Sequence, residues 1–108
     1  MKTLKENLTE LPEVDDIKSL VLFEGSEVTP VTQIENRPGK SASLKIYHYL
    51  ASQFGSISPK AAEKGLEIYA EYVEEAKGNP GAHPNIDLLF DVIANNRYLV
   101  VKALKQNH

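Results

Sequence analysis

Hydrophobic positions along the chain change period several times, and each change marks an element. Leu4, Leu8 and Leu11 recur at helical spacing. Thr3 stands three residues before Glu6, the spacing of a capping box in which each side chain satisfies the other's orphan backbone donor. This first helix is predicted to end at Pro12, because the residue before a proline is pushed out of the right-handed helical region. Ile17–Glu24, IKSLVLFE, is rich in strand formers. Gly25-Ser26 reads as a two-residue hairpin loop. Glu27–Glu35 then returns as a second strand, with Thr29, Val31 and Gln33 on one face and Val28, Thr32 and Ile34 on the other. Pro30 has no ladder donor, which places that strand at a sheet edge.

Asn36 to Ser41 is a turn-rich connection. A helix follows, capped by Ser41 or Ser43 and stopped at Phe54-Gly55. Leu44, Tyr47, Leu50, Ala51 and Phe54 form its apolar face, with Lys45, His48 and Ser52 opposite. Ser58 as N-cap and Pro59 at the first helical position open the next helix, predicted to run without interruption to Lys77. Its apolar arc, from Ala61 through Gly65, Ile68 and Tyr69 to Ala76, is wider than the ~100° stripe of a helix with one neighbour. Gly65, in the middle of that arc, is expected to allow close packing. Gly78 to Asn85 is a loop by its glycines and prolines. Asn85 is expected to cap a helix over IDLLFDVIAN, which is apolar nearly all round apart from Asp87, Asp91 and Asn95. RYLVVKALK, Arg97 to Lys105, reads as a third strand. The order α-β-β-α-α-α-β predicts one α+β domain over residues 1–108. Its small antiparallel sheet is a β-hairpin plus the C-terminal strand, with about four helices on one face.

Composition narrows the function classes. The 108 residues include no cysteine, which removes disulfides, thiol nucleophiles and cysteine-based metal sites. No N-terminal run has the apolar core of a signal peptide, and no stretch reaches the roughly 20 apolar residues of a membrane helix. A soluble, cytoplasmic chain without a membrane partner is expected. The net charge of −3 speaks against a nucleic-acid partner, which needs a basic surface.

Two loops carry the candidate chemistry. Asn36 to Ser43, NRPGKSAS, contains Gly39-Lys40-Ser41, the end of a phosphate-binding loop. The upstream glycine of that motif is here Ile34, so a nucleotide site of that type is not expected. A looser anion site remains: Arg37, Gly39, Lys40, Ser41 and Ser43 surround the start of a helix, where free N–H groups attract negative charge. The plain alternative is a turn followed by a solvated cap. The second loop offers His83, Asn85 and Asp87. His83 and Asp87, with Glu71 or Glu75 as a third ligand, have the chemistry to hold a metal, but one histidine is thin support. Asn85 as a cap and Asp87 favouring the helix dipole explain the pattern, so neither metal nor cofactor is assigned. Glu63, Glu67, Glu71, Glu74 and Glu75 make an acidic face, read as solvated. No serine or carboxylate stands at a spacing that suggests a triad with His48, and His108 is terminal.

The phrases IENRPGKSASLKIYHYLA, Ile57 through Glu71, and NPGAHPNIDLLFDVI resemble a family of small bacterial proteins, domain of unknown function family 2322. The resemblance runs from Leu8 to Leu104. It implies a bacterial, cytoplasmic protein and supplies no activity, cofactor or catalytic residue. The sequence therefore leads to a small non-enzymatic binding or protein-interaction module. A homo-oligomer is expected through the hairpin's free edge. The alternative is an enzyme or sensor for a small anionic ligand using the Asn36–Ser43 loop, which requires Arg37 and Lys40 to converge on one site, with His83 as an optional third member.

Overall fold

The computed structural model describes residues 2–106; His108 lies outside them. Eight elements follow in the order α1 (Leu4–Thr9), β1 (Ile17–Glu24), β2 (Pro30–Glu35), α2 (Ser41–Phe54), α3 (Pro59–Tyr69), α4 (Tyr72–Gly78), α5 (Pro84–Ala94) and β3 (Leu99–Lys105). The expected α+β class and three-stranded antiparallel sheet are present, and the helix count is one higher than the sequence suggests.

The sheet order is β2-β1-β3, so β1 is central and β2, with Pro30 at its start, is an edge as proline requires. Leu20 lies between Ile34 and Ala103, and Leu22 between Thr32 and Val101. These positions face α2, which packs on all three strands. α3 and α5 pack against each other, and α3 packs on α2. The core therefore forms between sheet and helices around Leu20, Leu22, Leu44, Tyr47, Leu50 and Leu89. Ile46 belongs to this core, while Phe54, placed by periodicity on the apolar face, is 36% exposed.

Local signals fixed several boundaries as expected. The capping box forms, with Glu6 N donating to Thr3 Oγ1 at 3.2 Å and Thr3 N to Glu6 Oε1 at 3.0 Å. Ser58 caps α3 with Pro59 in its first turn, and Gly55 ends α2 at φ 82°. The helix at the N-terminus ends at Thr9, before Pro12 acts.

Five expectations need correction. The tight turn at Gly25-Ser26 does form, with Glu27 N donating to Glu24 O at 2.9 Å, but β2 begins only at Pro30. Gly25 N instead donates to Tyr98 O, so the end of β1 is committed to the β3 side, and Pro30 cannot extend the β2 ladder backwards. The third strand itself starts at Leu99. Neither Ser41 nor Ser43 caps α2. Lys40 is the N-cap without a side-chain bond, because the Arg37 carbonyl already accepts from Lys40 N and Ser41 N at 2.9 and 3.0 Å. Asn85 does not cap α5 but lies inside it. The N-cap is His83, whose carbonyl accepts from Ile86 N and Asp87 N, and Pro84 brings no N–H to satisfy. Lastly, the helix expected to reach Lys77 breaks after Tyr69. Ala70 stands at φ 55°, ψ −119°, a region costly for a residue with a β-carbon.

Candidate functional site

Arg37 lies 3.5 Å from Glu35 in an exposed pair, and its carbonyl closes the turn into α2. Asn36 is structural: its Nδ2 donates to Val14 O at 3.0 Å and to Ile17 O at 2.7 Å, pinning the turn to the chain before β1. Gly39 takes φ 87°, which a β-carbon would disfavour. Ser43 turns inward and accepts from the Tyr69 hydroxyl at 2.7 Å. Of the five anion candidates, Arg37 is thus already paired and Ser43 is turned into the core.

In the second loop, His83 Nε2 lies 3.3 Å from Glu75 Oε1, off the line that a hydrogen bond needs. That nitrogen is buried and has no hydrogen-bond partner among the described residues. The His83 ring meets Tyr72 edge-on at 5.8 Å between centroids. Asp87 Oδ2 accepts from Gly81 N at 2.8 Å and so ties the loop to the helix that follows it. Glu71 is elsewhere, accepting from Leu4 N at 2.9 Å. Among the described residues no cluster of three or more potential metal ligands forms.

Two buried tyrosines tie each loop to a neighbouring helix, Ser43 to α3 and Asn85 to α2. Tyr69 reaches Ser43, and Tyr47, one turn further along α2, donates to Asn85 O at 2.5 Å. Burial raises the Tyr47 hydroxyl well above its ordinary pKa, and the neighbouring Tyr69 raises it further. Burial likewise raises Tyr69, with the bond to Ser43 pulling the other way. Neutral, fully engaged hydroxyls of this kind fix the relative positions of α2, α3 and α5; no reactive group is exposed by them.

The concave feature of the helical side lies elsewhere. A groove of about 860 Å³ runs between α1 on one side and the α3–α4 break on the other, with Tyr49 of α2 beneath. Its apolar lining comes from Leu11, Tyr49, Leu66, Ile68 and Val73. The rim carries four carboxylates, Glu10, Glu67, Glu71 and Glu74, against two ammonium groups, Lys2 and Lys64. Lys2 pairs with Glu10, Lys64 with Glu67 at 3.3 Å, and Glu74 with Lys77 at 3.1 Å. Glu71 touches a backbone amide and has no cationic partner among the described residues.

The strained Ala70 sits in the wall of this groove. α1 secures the break: Asn7 Nδ2 donates to Ile68 O at 2.9 Å, taking a carbonyl at the end of α3, while Glu71 beyond the break holds the first amide of α1. Sequence reasoning found Leu4, Leu8, Leu11 and the acidic residues but not the groove. Its walls are brought together by contacts more than sixty residues apart in the chain, for which no local pattern exists.

No helix among the described residues is long and apolar enough to cross a membrane. No curated protein and no solved structure matches the chain. Residues 4–103 match the model of a bacterial family, and the chain belongs to that family, described as an uncharacterized protein conserved in bacteria (DUF2322).

Proposed function

We propose that this protein is a non-catalytic interaction module that holds a segment of a partner protein in the groove between α1 and the α3–α4 break. The segment is apolar and carries lysine or arginine at its flanks. The observation that carries this is the groove itself, an apolar floor under a rim whose carboxylates are each paired with a lysine except Glu71, which has no cationic partner among the described residues. Leu66, Val73 and Tyr49 are each only partly buried and offer apolar area to a ligand. Glu71 supplies a carboxylate that has no cationic partner among the described residues, and it lies beside the strained Ala70. Backbone strain concentrates at sites that bind or switch. A chain without cysteine fits a cytoplasmic setting, and we place it there.

The test is calorimetry with two peptides of equal apolar content, one flanked by lysines and one by glutamates. The lysine peptide is expected to bind and to weaken as salt screens the rim. Val73→Asp, at a half-buried position, is expected to abolish binding while the circular dichroism spectrum is unchanged. Equal binding of both peptides, no binding of either, or undiminished binding by Val73→Asp contradicts the proposal.

A further inference from the structure

Helices cover one face of the sheet, and the other face is more apolar than an open face should be. An antiparallel sheet with one solvated side normally alternates apolar inward and polar outward. Here Leu20 and Leu22 point to the helices, so the alternate positions of the central strand lie on the other face: Val21 and Phe23, half-buried, and Ser19, which is covered to 1% exposure where Gln33 Nε2 donates to its hydroxyl. On β3 the outward partners are Val100, Lys102 and Leu104. Of the six large hydrophobic residues that stand exposed, four lie on or around this face: Val28 at 89%, Val31, Tyr98 and Leu104. The run Leu20 to Phe23 thus has the composition of a strand covered on both sides.

The charges on this face say what covers it. Across one row of the register lie Gln33, Val21 and Lys102, and across the next lie Glu35, Ser19 and Leu104. The cation is on the β3 edge, its Nζ 5.4 Å from the centre of the Phe23 ring. The anion is on the β2 edge, in an exposed pair with Arg37. A two-fold axis lying between two such sheets and parallel to their strands puts β3 of one copy over β2 of the other. Each Lys102 then stands over Gln33 of the second copy, one row from its Glu35, while Val21 and Phe23 meet their own counterparts. An axis perpendicular to the strands would stack β3 on β3 and bring the two Lys102 side chains together.

From this we propose that two copies of the chain associate face to face through their sheets, with strands aligned and Lys102 directed at Glu35 of the other copy. The interface is isologous, as a two-fold demands. It leaves the groove on the helical side open, so it stands independently of the function proposed above. Edge-to-edge pairing is the less suitable route, because β2 begins with Pro30, and antiparallel pairing of two β3 edges about their centre would oppose Lys102 to Lys102.

Sedimentation velocity of the full chain over a wide concentration range tests this. Wild type is expected to shift from monomer to dimer as concentration rises. Val21→Asp, at a position outside the core, is expected to raise the dimer dissociation constant at least about tenfold with an unchanged circular dichroism spectrum. Lys102→Glu is expected to weaken the dimer, and Lys102→Glu combined with Glu35→Lys to restore it. A wild type that stays monomeric throughout, a dimer indifferent to Val21→Asp, or a charge exchange that fails to restore association overturns the proposal.

Discussion

Gly65 and Ala70 show how one residue can decide a helix. A β-carbon at Gly65 would stand 2.8 Å from a methyl of Leu50 and 2.8 Å from a methyl of Leu89. Both leucines are fully buried, so neither methyl has free space to move into. Alanine would gain about 1 kcal/mol in helix propensity, against an overpacking cost of roughly 1–3 kcal/mol. Gly65→Ala is therefore expected to lower the melting temperature, and a rise would mean that the leucines repack without strain. Ala70 has the opposite relation to its backbone. At φ 55° it stores strain of about 1–3 kcal/mol that glycine would not feel. Ala70→Gly is expected to raise the melting temperature if the break persists, with a fall indicating that the strain is small.

The two buried tyrosines set an alkaline limit. Both hold their protons more tightly in the folded chain than their ordinary pKa of about 10. Above that pH the unfolded chain ionises first and binds fewer protons than the folded one, so folding stability falls as pH rises. Their contribution is complete below about pH 10 and is lost above it, with a slope of up to about 1.4 kcal/mol per pH unit for each group. Urea unfolding at a series of alkaline pH values checks this. The Tyr47→Phe/Tyr69→Phe variant is expected to show a shallower decline than wild type, and an equal slope would assign the loss to other groups.

At the scale of elements, the features legible in the sequence are those set by near neighbours. Thr3 with Glu6, Ser58-Pro59 and Phe54-Gly55 each carry their own cap chemistry, and each forms as read. The misread boundaries depend on residues far away. Nothing in Ile68–Lys77 breaks a helix by propensity, since it contains neither glycine nor proline. The break exists where α1 docks, through Asn7 on the Ile68 carbonyl and Glu71 on the Leu4 amide. The serines in the first turn of α2 look like caps, yet Tyr69 engages Ser43 and the Arg37 carbonyl accepts from the amides of Lys40 and Ser41. α1, at six residues, is too short to be stable without docking. Asn7→Ala removes a bond worth about 1 kcal/mol. It is expected to speed hydrogen exchange in α1 and at Ala70 while leaving β1 unchanged. Unaltered exchange in α1 would show that its leucines alone hold it.

For the whole molecule, periodicity and turn chemistry revealed the layer of helices on a three-stranded sheet, because alternation and helical spacing are local properties of the chain. The two loops that the sequence singled out are each tied to a neighbouring helix, Ser43 to α3 by Tyr69 and Asn85 to α2 by Tyr47, and residue spacing does not encode these links. The groove was illegible for the same reason: Leu11, Tyr49, Leu66 and Val73 come from four separate segments. The measurement that bears most directly on its proposed role is an amide chemical-shift titration with the lysine-flanked apolar peptide. The expected result is saturable shifts concentrated at Asn7, Leu11, Tyr49, Leu66, Ala70, Glu71 and Val73. Shifts confined to Arg37–Leu44, or none that saturate, would contradict the groove as the binding site.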